Sequence, residues 1–145
     1  MKLLLILLLA STPLVHAKDI DRKVGCFSAP ASGAALKFVE FADGNTRLAY
    51  VKYRNSSISI PLVFVQSSFK KVPNNRPVEN HTIWAEFING KYNGQYEVMT
   101  QGARYYKFSY KNKLGKTLSF LEDITLYDNS HTECKLKRSA NKIYF

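Results

Sequence analysis

The chain has 145 residues, 46% hydrophobic and 13% aromatic, with a formal net charge of +10. That length and apolar content suit one domain with a real core and exclude both a disordered chain and a multidomain assembly. Positive charge keeps a domain soluble and also draws it toward polyanions such as acidic proteins, anionic headgroups or nucleic acid.

Residues 1–17 read as a cleavable signal peptide. Lys2 gives a charged start, residues 3–10 are unbroken apolar chain, Ser11, Thr12 and Pro13 break the run, and Val15-His16-Ala17 suits a signal peptidase. The apolar run is about half the roughly 20 residues a spanning helix needs. The expectation is an exported protein, periplasmic or secreted, whose mature domain is residues 18–145 with no stable membrane anchor. Cleavage removes Lys2 and lowers the charge by one, to +9. Export makes nucleic acid the least suitable polyanion. Cys26 and Cys134 are the two cysteines, and an even pair in an oxidising compartment reads as a disulfide. Free or metal-binding thiols are the alternative, but His81 and His131 do not stand at zinc-site spacing to either cysteine. The bridge would close most of the mature chain and make its first and last elements neighbours.

Strand signals follow, with no sustained helical period. The first predicted strand is 36–42, where Leu36 and Phe38 alternate with Lys37 and Val39; Asp43-Gly44-Asn45 turns it into 46–53. Residues 54–57 turn again, and 58–66 is an apolar strand in which Pro61 belongs at an edge or bulge. Residues 67–80, with Pro73, Pro77, Asn74, Asn75, Lys70, Lys71 and Arg76, read as a long loop, and such loops tend to be functional. Strand 81–88 holds Trp84, Asn89-Gly90 is the clearest hairpin turn, and 91–99 returns. After Gln101-Gly102, strand 103–111 places Arg104, Tyr106, Phe108 and Tyr110 on one face and Tyr105, Lys107, Ser109 and Lys111 on the other. Residues 112–116 turn into 117–127, 128–131 turn again, and 132–138 carries Cys134; the apolar tail 139–145 suits a short final strand. The predicted class is all-β: a small antiparallel barrel or sandwich of about eight strands, and the end-to-end disulfide favours the barrel.

Catalytic signatures are missing. No P-loop, H-E-x-x-H or G-x-G-x-x-G occurs, and neither mature-domain histidine lies in a nucleophile motif. Glu122 and Asp123 are adjacent, so in a strand they face opposite ways; Glu40, Glu86 and Glu97 read as single solvent-facing positions. The expectation is a non-enzyme without metal or cofactor. Asn55-Ser56-Ser57 and Asn80-His81-Thr82 match the glycosylation sequon and count only in a eukaryotic source.

The densest feature is the basic and aromatic run 103–116. Half-buried strands show such alternation, and so do binding strips. At Gln101-Gly102-Ala103-Arg104-Tyr105, with Tyr110, the turn Lys113-Leu114-Gly115-Lys116 and Cys134, the chain resembles the periplasmic or membrane-bound inhibitors of C-type lysozymes. The resemblance implies an exported, disulfide-linked β-barrel that inserts a loop into an enzyme cleft. Gln101 stands where that family has serine, the family's Lys-Gly pair is split, and residues 58–100 show no counterpart. A strongly basic inhibitor would also be repelled by a basic lysozyme. The expected partner is therefore a protein, an acidic hydrolase or a toxin, blocked by an inhibitor or immunity protein. The expected contact residues are Arg76, Gln101, Arg104, Tyr105, Lys107, Lys113 and Lys116. The alternative function is a lipocalin-like barrel carrying a small ligand.

Overall fold

The computed structural model describes residues 19–136. The expected signal peptide and the expected final strand at 139–145 lie outside the described residues.

Eight antiparallel strands close into a barrel in which each pairs with its neighbours in sequence and β1 meets β8. They are β1 (Asp21–Ala29), β2 (Ala34–Asp43), β3 (Thr46–Tyr53), β4 (Ile60–Lys70), β5 (Glu79–Ile88), β6 (Lys91–Gln101), β7 (Arg104–Asn112) and β8 (Thr117–Glu122). A 3-10 turn, Ile124–Leu126, follows β8. Positive φ at Gly44, Gly90 and Asn89 shows why Asp43-Gly44 and Asn89-Gly90 make tight hairpins: left-handed backbone costs glycine nothing and asparagine little.

Alternation places one residue in two inside the barrel. Phe27, Leu36, Phe38, Val51, Trp84, Tyr96, Val98, Phe108 and Phe120 are buried and form one cluster. Phe27 stacks on Phe108 with centroids 4.2 Å apart, and Phe120 meets Phe108 edge-on at 5.8 Å. The Trp84 indole donates to Thr82 Oγ1 at 3.2 Å, so its one polar atom is satisfied in the core.

The count of eight is met with different membership. β1 has no counterpart among the predicted strands, because its charged start and its Gly25 interrupt the apolar alternation. Of the predicted strand 132–138, the described part holds only an isolated bridge between Tyr127 and Cys134; residues 137 and 138 are outside the described residues. Asp128 shapes this stretch instead: its carboxylate accepts from Thr132 N at 2.8 Å, Glu133 N at 3.1 Å and Ser130 Oγ at 2.8 Å. The predicted 117–127 strand ends at Glu122, where Asp123 caps the 3-10 turn.

Two seams of the barrel are thin. β1 meets β8 through Phe27↔Glu122 and Ser28↔Leu121 alone. There the segment after β8 completes the wall: Asp123 N donates to Cys26 O at 2.8 Å, Tyr127 Oη accepts from Cys26 N at 3.2 Å, and Cys26 is bonded to Cys134. Glu133 adds ion pairs to Arg22 and, at 2.8 Å, to Lys37. β3 meets β4 through Ala49↔Leu62, Tyr50↔Pro61 and Val51↔Ile60, and Pro61 sits where pairing is brief.

Candidate functional site

Up-and-down topology puts the connections at two rims. The upper rim carries the β2–β3, β4–β5 and β6–β7 connections; the lower rim carries β1–β2, β3–β4, β5–β6 and β7–β8. The expected contact residues divide between them.

At the upper rim the predicted loop 67–80 is shorter than expected. β4 runs to Lys70 and β5 starts at Glu79, with Ser67↔Thr82, Ser68↔His81 and Phe69↔Asn80 as ladder pairs. The free loop is 71–78. Asn74 and Asn75 take positive φ, 65° and 53°, and turn it sharply. Gln101 fastens it to the β6–β7 turn by donating Nε2 to Pro77 O at 2.9 Å. Gly102, at φ +60, lies against the Pro77 ring. Arg76 is exposed on this loop and has no ion pair among the described residues. Arg104 stands one turn away, with Nε 2.9 Å from Glu122 Oε2, and that carboxylate pushes its pKa up.

Tyr105 and Tyr106 exchange the faces expected of them. Pairing between β6 and β7 slips after Met99↔Lys107 to Thr100↔Tyr105, so Tyr106 is the extra residue of a bulge. Tyr106 is 60% exposed. Tyr105 turns into the barrel mouth, against Phe27 at 5.2 Å and Phe38 at 6.4 Å. Its Oη is buried with no hydrogen-bond partner, and burial holds its pKa well above the usual phenol range. Tyr105 is therefore half-buried at the barrel mouth, its ring turned inward. Lys107 lies on the outer wall, 2.7 Å from Glu97.

Lys113 and Lys116 sit at the lower rim, about 30 Å from Arg104 along the nine residues of β7. Asn112 Oδ1 shapes their turn by accepting from Leu114 N at 3.0 Å and Lys116 N at 2.9 Å. A single compact partner surface does not join them to Arg76 and Gln101.

The lower half of the barrel holds a group that was expected in solvent. Glu86 is 3% exposed and shares its face of β5 with Trp84. Its carboxylate accepts from Tyr96 Oη at 2.8 Å, Tyr110 Oη at 2.9 Å and Asn93 Nδ2 at 2.6 Å, and Tyr53 Oη lies 2.9 Å from Tyr96 Oη. Three donors stand in for a countercharge, as a buried carboxylate requires. Burial, and then the neighbouring phenol and carboxylate, hold the Tyr96 proton far above the usual range; burial and Glu86 do the same for Tyr110. Gly94 makes room for this cluster, since a Cβ there would stand 2.6 Å from both Tyr110 Oη and Lys111 O. The shared parity of Trp84 and Glu86 is the sequence signal that points inward. No group of three or more metal-ligating side chains occurs among the described residues.

Comparison with protein families, characterised proteins and solved structures finds no match for this chain.

Proposed function

We propose that this is an exported binding protein that blocks a protein partner, as an inhibitor or immunity protein acts on an acidic hydrolase or a toxin. The observation that carries the reading is the Gln101–Pro77 contact. It fastens the β4–β5 loop to the β6–β7 turn and so preorganises an exposed platform at the upper rim. Phe69 and Val78 are exposed at this rim, as are the cations of Lys71 and Arg76. Exposed aromatic and arginine side chains are residue types that protein interfaces favour. The barrel interior holds the side chains of Phe27, Phe38, Trp84, Tyr96 and Phe108, which supports a reading in which the outer surface binds.

The test is affinity capture with the mature protein, read by mass spectrometry, from extracts of its own and competing cells. Wild type should retain one acidic protein at stoichiometric yield. Arg76→Glu should lose it and Lys113→Glu, at the other rim, should keep it. Loss in Lys113→Glu with retention in Arg76→Glu would move the site to the lower rim. Recovery of a small apolar molecule and no protein would overturn the reading in favour of a ligand carrier.

A further inference from the structure

Pairing of β4 with β3 stops at Leu62, whereas pairing of β4 with β5 continues to Lys70. Residues 63–70 thus present an unpaired backbone edge on the β3 side. Extending the Ala49↔Leu62 register sets Thr46, the start of β3, level with Val65. Residues 66–70 project beyond it by about 16 Å. Such an edge templates another strand, and proteins usually cover it. Val63, Val65 and Phe69 along this edge are 55%, 54% and 70% exposed. Phe69 shares a ladder rung with Asn80, on the face that looks over the barrel mouth.

Charge indicates the occupant. Lys70 and Lys71 close the upper end of the edge, Arg76 stands in the loop beyond, and Lys70 meets Glu79 only at 3.8 Å. Arg47, across the gap on β3, lies over the Phe64 ring at 5.4 Å. It is 3.7 Å from Glu40, and its Nη1 is buried without a partner. By strand parity Arg47 shares the inward face of Ala49 and Val51, so the cations within reach of an added strand are those of Lys70, Lys71 and Arg76, which match the carboxylates of an acidic segment. A second copy of this chain would bring a like cluster of Lys70, Lys71 and Arg76 and the same net positive charge.

We infer that the free edge of β4 receives an extended, acidic segment of a protein partner as an added strand. Main-chain hydrogen bonds would supply affinity, while the exposed apolar side chains and the Lys70, Lys71 and Arg76 cations would select the sequence. This rests on the binding-protein reading and names how its partner is held.

The experiment titrates the isotopically labelled, disulfide-intact protein with an eight-residue peptide alternating Glu and Val, followed by amide shifts and hydrogen exchange. A Lys–Val peptide and a Glu–Val peptide broken by a central proline serve as controls. The expected result is shift change and slowed exchange along 63–70 with the acidic peptide, with neither control binding comparably. Affinity should weaken roughly tenfold in Phe69→Ser, which removes an apolar anchor from an exposed position. Shifts at Arg76 and Gln101 without slowed exchange in β4 would overturn strand addition while leaving partner binding intact. No shift anywhere would also overturn it, and the capture experiment with Arg76→Glu then decides the binding reading separately. Protection of β4 that rises with protein concentration in the absence of peptide would instead establish self-pairing.

Discussion

Tyr96→Phe and Tyr105→Phe remove the same hydroxyl from the same barrel and should change stability in opposite directions. Tyr96 Oη donates to the Glu86 carboxylate at 2.8 Å and lies 2.9 Å from Tyr53 Oη. Its loss takes one of three donors from a buried charge and leaves Tyr53 without that partner. A hydrogen bond to a charged group contributes about 1.5–3 kcal/mol, so a loss of roughly 2–3 kcal/mol is expected. For a domain of this size that lowers Tm by about 8–12 °C. Tyr105 Oη is buried with no partner, while its ring keeps Phe27 and Phe38 after substitution. Removing an unsatisfied hydroxyl spares its desolvation, so Tyr105→Phe should be neutral or stabilise by up to about 1 kcal/mol. Urea unfolding followed by tryptophan fluorescence reports both, because Trp84 is fully buried in the core. Equal destabilisation by the two variants would refute the reasoning, since it would mean that the Tyr105 hydroxyl is as well bonded as that of Tyr96.

Three further outcomes follow from the same geometry. Replacing Cys26 and Cys134 by serine frees a closure spanning 108 residues; denaturant unfolding should show a loss of up to about 4–5 kcal/mol, if the entropy of the unfolded chain dominates. Alkali should unfold the protein cooperatively: burial raises the phenols of Tyr53, Tyr96, Tyr105 and Tyr110, and Tyr127 is pushed up to about 12. Because folded pKa values lie above unfolded ones, this stability is whole below about pH 10 and is lost as pH rises through the folded values. Melting curves between pH 7 and 12 should fall from pH 10 upward, and a flat profile would contradict the buried phenols. Gly94→Ala should destabilise by about 1–3 kcal/mol in thermal melts, as overpacking does, because its methyl group would displace Tyr110 from Glu86.

The hairpin order and the fold class were legible because turns such as Asp43-Gly44 and Asn89-Gly90 declare themselves chemically. The phase of β7 was not. One bulged residue, Tyr106, reverses which tyrosine points inward, and strand alternation alone does not reveal the insertion. β4 beyond Gln66 reads as loop because Ser67 and Ser68 are polar, yet its ladder with β5 needs only backbone groups. β1 lacks clear alternation because its outer face is also covered: Cys26 is bonded to Cys134 and Tyr127 Oη reaches its amide. Glu86 was within reach, since residues two apart on a strand share a face and Trp84 fixes which face is inside.

The two thin seams show what this barrel does with a strand edge. At β1–β8 two ladder pairs are insufficient, and the segment after β8 covers the exposed backbone with Asp123, Tyr127, the ion pairs of Glu133 and a covalent bond. At β3–β4 only three pairs form, and among the described residues no segment pairs with the longer edge of β4. An edge held open beside exposed valine and phenylalanine is a site of strand addition, and lysine is the residue that ordinarily discourages unwanted pairing there. Lys70 and Lys71 would repel a second copy of this basic chain and attract an acidic segment. The same cations would thus oppose self-association and favour the proposed acidic segment.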